Sequence, residues 1–284
     1  MIDMEIEKAQ ELGLCSGVKR AIKLLEQAVD KYGEIETLGA IAHNQQLVER
    51  LAKAGIKPVR QLNQVQGEIL AITTHGISPK ILSEIKARNI HIIDTTCSIV
   101  RKAQNTIKEL TEAGFTVIIF GEAEHSEIQG LLGWAKGKGI ATRDVKQIEA
   151  LGKKRHRLGI ISQSTQRQSA FTGFAGQVIA AVPTAQEIRI INTLCGVVQR
   201  RQEAAERLAK RSQIMVVIGG HESANTKRLA EICSHIVETH SVETADDIDV
   251  NWFAGKQHAG ITAGTSTPDE SIEEVIAKLR SLNS

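Results

Sequence analysis

Three of the four cysteines recur on one spacing. Cys15, Cys97 and Cys195 are each followed 28 positions later by a polar residue: His43, His125 and Ser223. Each polar residue stands four positions after a glycine (Gly39, Gly121, Gly219) that closes an apolar segment. A further apolar segment in each repeat ends in His75, Thr165 or Ser266. Three thiolates from distant segments can bind zinc or an iron–sulfur cluster. Structural zinc takes four protein ligands, often in closely spaced pairs. A cluster held by only three cysteines leaves one iron open, and an open iron is a Lewis acid for a substrate oxygen. The surrounding set of His43, His75, His125, Thr165, Ser223, Asn225 and Ser266 suits the binding of an anion, helped by backbone amides at helix N-termini. Glu127, two residues after His125, has two readings of equal weight. It relays protons with a pKa raised beside an anionic substrate, or it only favours the first turn of a helix.

These residues need elements to position them, and the chain supplies the same ones three times. H-I-I-D-T-T-C ends at Cys97 and R-I-I-N-T-L-C at Cys195, both short β-branched strands running into a turn. C-S-G-V-K-R, C-S-I-V-R-K and C-G-V-V-Q-R then open helical patterns. After the second strand of each unit a helical run begins near Leu47, Ile128 and Leu229. The third strands are E-I-L-A-I-T-T-H-G, R-L-G-I-I-S-Q-S-T and H-A-G-I-T-A-G-T-S, with Pro79 and Pro268 at helix starts beyond two of them. The expected fold is α/β: three pseudo-threefold-related units on parallel sheets, with functional groups at the carboxyl ends of strands. The expected domains are 1–96, with the C-terminal segment 270–284 packing on it, then 97–194 and 195–269. Cys233 falls outside the repeat, in a helical run, and reads as core.

Composition excludes several classes. The 284 residues are 42% hydrophobic and 24% charged, with 4 Pro and 23 Gly, which rules out disorder and collagen-like repeats. A net charge of +2 and only 3% aromatic residues argue against a nucleic-acid partner. No apolar run is long enough to span a membrane, and Met1 to Gln10 lacks a signal-peptide core, so a cytoplasmic protein is expected. No C-x-x-C pair, Walker motif or clean G-x-G-x-x-G is present. The basic cluster Lys153-Lys154-Arg155-His156-Arg157 reads as a solvated turn before a strand.

Taken together and in order, nine motifs resemble the 4-hydroxy-3-methylbut-2-enyl diphosphate reductases, the LytB/IspH family. They are G-L-C-S-G-V-K-R-A at Cys15, A-H-N-Q-Q-L-V at His43, T-H-G-I-S at His75, D-T-T-C at Cys97, H-S-E at His125, S-Q-S-T at Thr165, N-T-L-C at Cys195, S-A-N-T at Ser223 and T-A-G-T-S-T-P at Ser266. The resemblance implies a trefoil of three α/β domains around a central [4Fe–4S] cluster on Cys15, Cys97 and Cys195, with one open iron. It implies two-electron reductive dehydroxylation of 4-hydroxy-3-methylbut-2-enyl diphosphate to isopentenyl and dimethylallyl diphosphate, the last step of the methylerythritol phosphate pathway. Ferredoxin or flavodoxin would supply the electrons, and Glu127 with Thr165 the protons. His43, His75, His125, Thr165, Ser223, Ala224, Asn225 and Ser266 would hold the substrate. Monomer and homodimer both stay open from the sequence. The chain differs from the family at Ala224, where a second serine is usual, at Ser126, where proline is usual, and in the G-V-V-Q-R-R-Q run after Cys195.

Two other classes fit parts of the pattern. A quinolinate-synthase-like lyase would use a three-cysteine cluster without net redox, so its turnover needs no reductant. A binding or sensing protein would hold zinc or a redox-active cluster on the same cysteines. The H-N, T-H-G and S-x-N motifs favour the reductase over the lyase.

Overall fold

A computed structural model describes residues 4–149 and 157–282. In chain order the elements are β1 (Glu5–Lys8), α1 (Ser16–Tyr32), β2 (Ile35–Leu38), α2 (Gln45–Lys53), β3 (Ile56–Val59), β4 (Ile69–Ile72), α3 (Pro79–Ala87) and β5 (His91–Asp94). They continue with α4 (Ser98–Glu112), β6 (Thr116–Phe120), α5 (Ser126–Trp134), β7 (Gly139–Thr142), α6 (Lys146–Glu149), β8 (Arg157–Ser162), α7 (Gln168–Ala181) and β9 (Glu187–Ile190). The last are α8 (Gly196–Ala209), β10 (Ile214–Ile218), α9 (Ala224–Ser234), β11 (Thr239–Val242), β12 (His258–Ala263) and α10 (Asp269–Ser281).

The strands form three four-stranded parallel sheets, ordered β3-β2-β4-β5, β7-β6-β8-β9 and β1-β12-β10-β11. This is the expected α/β class with three parallel-sheet units. Central strands are apolar on both faces because helices cover both. In β6, Val117 and Ile119 pack with α4 and α5 side chains such as Ile107 and Leu131. Their neighbours Ile118 and Phe120 pack on the other face with Phe171, Phe174 and Val178 of α7. In β10 the same alternation sends Ile214, Val216 and Ile218 to one cluster and Met215 and Val217 to another.

The fourth strand of each sheet was not legible in the repeat. β3, β7 and β11 are four-residue edge strands, reading I-K-P-V, G-I-A-T and T-H-S-V. Pro58 is tolerated in β3 because an edge strand can leave one side of its ladder unpaired. Such short, half-exposed segments carry no clear periodicity.

Strand pairing crosses the expected domain boundaries. The strand leading to a cysteine closes the sheet that precedes that cysteine. β5, before Cys97, pairs with β4, and β9, before Cys195, pairs with β8. β1, before Cys15, has no preceding sheet and pairs with β12 of the last one. Residues 5–8 therefore belong with the third sheet, not with a first domain of 1–96. α10 packs there too: Ile272, Val275, Ile276 and Leu279 share a core with Met4, Val216 and Ile261.

The chain divides into two compact units, one of Met1–Ile22, Ala40–Gly55 and Gly196–Ser284, the other of Lys23–Gly39 and Ile56–Cys195. In the first unit α2 is tied to the C-terminal region: Arg50 pairs with Glu270 at 3.3 Å, and Ser271 donates to Gln46. Gly39 and Gly55, which bound this segment, have φ of +86° and +88°, a conformation costly for other residues. Most of the basic cluster, Lys153 to His156, lies outside the described residues. Arg157 opens β8, where its guanidinium lies 4.3 Å from the Phe115 ring centre and pairs with Glu187.

Candidate functional site

Each of the three cysteines directly precedes a helix: Cys15 before α1, Cys97 before α4 and Cys195 before α8. Their thiols are half-buried, whereas Cys233 is buried. The loop geometry repeats in detail. The Cys97 amide donates to the Thr74 carbonyl at 3.0 Å, that of Cys195 to Ser164 at 2.9 Å, and that of Cys15 to Thr265 at 2.9 Å. Each acceptor directly precedes the polar residue that ends the third strand: His75, Thr165 or Ser266. The Val18 amide donates to the Cys15 sulfur at 3.4 Å. A helix N-terminus offers unpaired amides and the positive end of its dipole, which suits a thiolate ligand. Cys233 differs: burial, with a smaller contribution from Glu206, pushes its thiol up to about 12, so it stays protonated.

The second unit brings His75, His125 and Glu127 together. The His75 and His125 rings meet edge-on, 5.8 Å between centres. α5 can approach the His75 loop closely because it presents glycine there. A side chain at Gly133 would collide with Ser78, and one at Gly130 would crowd the Gly76 carbonyl. Trp134 adds a hydrogen bond to the Ile77 carbonyl at 3.0 Å. His125 caps α5, its Nδ1 accepting from the Glu127 amide at 3.2 Å. In the neutral ring the hydrogen is then on Nε2.

Glu127 is only 3% exposed. Its carboxylate accepts from the Ser164 amide at 2.8 Å and the Ser164 hydroxyl at 2.6 Å. Burial raises its pKa, and the two bonds from Ser164 oppose the rise only in part. A carboxyl so placed holds a proton more readily than an exposed one and can give it to a bound substrate. Ser164 directly precedes Thr165, which the resemblance names with Glu127 as a proton source. Ser164 went unread in the sequence because the repeat marks Thr165, while contact with Glu127 depends on how β8 sits beside α5.

The first unit holds His43, Ser223, Ala224, Asn225 and Ser266. His43 directly precedes Asn44, whose side chain caps α2, and the His43 carbonyl packs against Gly220, where any side chain would collide with it. Burial holds the His43 imidazole below its ordinary pKa, with Glu222 pulling the other way. Ser223 caps α9. Asn225 lies in the first turn of α9, 3% exposed, and neither of its side-chain amide atoms has a partner. Thr226 fits against Gly219 and Gly264, where a side chain would meet its hydroxyl. That hydroxyl is likewise buried without a partner. Unpaired buried polar atoms are costly, and at this helix N-terminus the Asn225 Nδ2 and the Thr226 hydroxyl can donate to an anionic ligand.

The sequence matches the family model for LytB protein over residues 6–280. The chain belongs to the LytB protein family. Two 4-hydroxy-3-methylbut-2-enyl diphosphate reductases illustrate the likeness. That of Dehalococcoides mccartyi strain CBDB1 is 41% identical over 281 residues, covering 99% of both chains. That of Geobacter metallireducens is 39% identical over 282 residues, again covering 99% of each. The solved structure of (E)-4-hydroxy-3-methyl-but-2-enyl diphosphate reductase, the terminal enzyme of the non-mevalonate pathway, is 35% identical with a TM-score of 0.70, covering 99% of this chain and 100% of its own. The reductase structure from Plasmodium falciparum shares the fold at a TM-score of 0.91, with 23% identity over 97% of this chain and 87% of its own.

LytB proteins are iron–sulfur enzymes. Among the described residues of this LytB chain, no three His, Cys, Asp or Glu side chains form a single-ion site. A multi-iron cluster takes one thiolate per iron, so each ligand is presented singly. Three half-buried thiols at helix starts fit that requirement; the fourth, buried and protonated, does not. No helix among the described residues is long and apolar enough to cross a membrane.

Proposed function

We propose that this protein is an iron–sulfur reductase that converts 4-hydroxy-3-methylbut-2-enyl diphosphate to isopentenyl and dimethylallyl diphosphate. The observation that carries this reading is the likeness along the full chain to reductases of that name. A buried, proton-holding Glu127 meets what the reaction needs. The reaction replaces an allylic hydroxyl by hydrogen: two electrons and two protons enter, the C–O bond breaks and water leaves.

Cys15, Cys97 and Cys195 are the proposed ligands of a [4Fe–4S] cluster with one open iron. When bound, it supplies single electrons and a Lewis-acid site for the substrate hydroxyl. The protein's own groups do the rest. Glu127, held by Ser164, gives the proton that turns the departing hydroxyl into water, with Thr165 beside them. His43, His75, His125, Ser223, Asn225 and Ser266 hold the diphosphate and the hydroxyl end. A neutral His43 donates one hydrogen bond, and a nearby diphosphate draws a second proton onto it. Ala224 contributes only its backbone amide. Ferredoxin or flavodoxin is the proposed electron donor, and the cytoplasm the proposed location.

The decisive experiment is anaerobic. Purified protein is expected to be brown, to contain iron and sulfide, and to consume the substrate with dithionite and a viologen mediator. A folded, iron-free protein overturns the reading, and turnover without any reductant assigns the chain to a lyase class instead.

Ala224→Ser is expected to tighten substrate binding. A hydroxyl at the start of α9 adds a hydrogen bond to a charged oxygen, lowering KM by about tenfold with kcat unchanged. Steady-state kinetics on the two proteins check this.

A further inference from the structure

The three cysteine loops share one amide–carbonyl bond but differ two residues before the cysteine. Two residues before Cys97 stands Thr95, fully buried, whose hydroxyl donates to the Ile72 carbonyl at 2.6 Å. Two residues before Cys195 stands Thr193, also buried, whose hydroxyl donates to the Ser162 carbonyl at 2.6 Å. Ile72 and Ser162 are equivalent: each lies three residues before the polar residue ending its third strand, His75 or Thr165. These bonds tie the cysteine's strand to the strand beside it, just ahead of the thiol.

The third loop lacks the hydroxyl. Two residues before Cys15 stands Gly13, with φ of +75° and packed so closely on Asp269 that a side chain there would collide with its carboxylate. The carbonyl equivalent to those of Ile72 and Ser162 is that of Ala263, three residues before Ser266. It is not left without a side-chain donor. Nη1 of Arg201 donates to the Ala263 carbonyl at 2.9 Å and to the Gly13 carbonyl at 2.9 Å. Arg201 is 2% exposed. A buried guanidinium is costly and persists only where its bonds compensate it. At the same position in the other two cysteine helices, six residues after the cysteine, stand Ala21 and Ala103, both buried. The repeat is therefore broken twice, and the two breaks meet: where threonine is lost from one loop, an arginine is gained on the helix that packs beneath it.

We infer that Arg201 is the positioning residue for Cys15, replacing the threonine hydroxyl that positions Cys97 and Cys195. By clamping Gly13 to Ala263 it sets the Cys15 thiol relative to the end of β12 and to Ser266. In this role Arg201 acts through the backbone carbonyls of Gly13 and Ala263. Its importance for catalysis rests on the reading of Cys15 as a cluster ligand. The test is therefore made on the metal-free chain, so that its failure is separate from a failure of that reading.

The measurement is the rate at which iodoacetamide labels each cysteine of the full-length metal-free chain, read by peptide mass spectrometry. Arg201→Met removes both bonds and is expected to speed labelling of Cys15 about tenfold, the equivalent of one lost bond to a charged group. Cys97 and Cys195 keep their wild-type rates, and Cys233, buried, stays unlabelled. Thr95→Val and Thr193→Val are expected to do the same for Cys97 and Cys195 alone. Arg201→Lys, whose ammonium reaches one carbonyl, falls between wild type and Met. Reconstituted with iron and sulfide, the Met variant retains less iron per chain than wild type, and the Lys variant recovers part of the difference. Unchanged Cys15 labelling overturns the assignment, and so does a uniform rise that includes Cys233, which signals general unfolding. If Arg201→Met does not fold, Arg201→Lys decides: labelling selective for Cys15 supports the assignment, and uniform or unchanged labelling rejects it.

Discussion

Glu127→Gln is expected to lower kcat by about 10²–10⁴-fold, the usual range for loss of a positioned proton donor, with KM nearly unchanged. Glutamine keeps the shape and one oxygen for the Ser164 bonds but carries no transferable proton. The pH dependence gives an independent check. Burial raises the folded-state pKa of Glu127 above the ordinary carboxylate value. Between that value and the raised one, the folded protein binds more protons than the unfolded chain. Stability is therefore fully present below the ordinary carboxylate pKa and declines as pH rises through the raised value. The Gln variant lacks this decline. Denaturant unfolding from pH 4 upward is expected to show the two stability curves separating as pH rises, with the variant the flatter. Retention of wild-type kcat in Glu127→Gln excludes it as the proton donor.

Cys97→Ser is expected to abolish reductase activity and lose most of the bound iron. A serine oxygen is a harder and far less acidic ligand than the thiolate it replaces. Cys15→Ser and Cys195→Ser are expected to match it, since all three share the same amide–carbonyl bond and the same place before a helix. Cys233→Ala provides the contrast. Its thiol is packed among Ala205, Leu208 and Leu229 and stays protonated, so its loss removes only a small buried group. The expected cost is about 1 kcal/mol of stability or slightly more, with iron and kcat retained. Iron quantitation, activity and thermal melts on the four variants make the comparison. Full iron in Cys97→Ser, or iron lost in Cys233→Ala, assigns the ligands differently.

The three-plus-one division of cysteines was legible because it lies in local spacing. So were the helix starts at Ser16, Ser98 and Gly196 and the apolar strands T-V-I-I-F and I-M-V-V-I. A strand buried on both faces announces itself in four or five residues. Edge strands such as Ile56–Val59 are half-solvated and did not. At the candidate site the sequence marked Glu127 but left its role open between helix charge and proton relay. Burial and the two Ser164 bonds favour the second role, and neither is visible along one dimension.

By itself the sequence determined the residue types and their recurrence: thiols ahead of helices, a polar group 28 positions on, and three copies of a parallel α/β unit. Those follow from short-range rules, in which periodicity sets the element and the turn sets what stands at its end. Only the tertiary structure decided the partners. Glu5–Lys8 completes the last sheet by pairing in parallel with β12, some 250 positions further along the chain. Ser164 donates twice to Glu127, 37 positions away, because the end of β8 and the start of α5 meet there. Arg201 bonds the Cys15 loop from 188 positions away in sequence. Contacts across such separations depend on how whole elements pack, which no local pattern encodes.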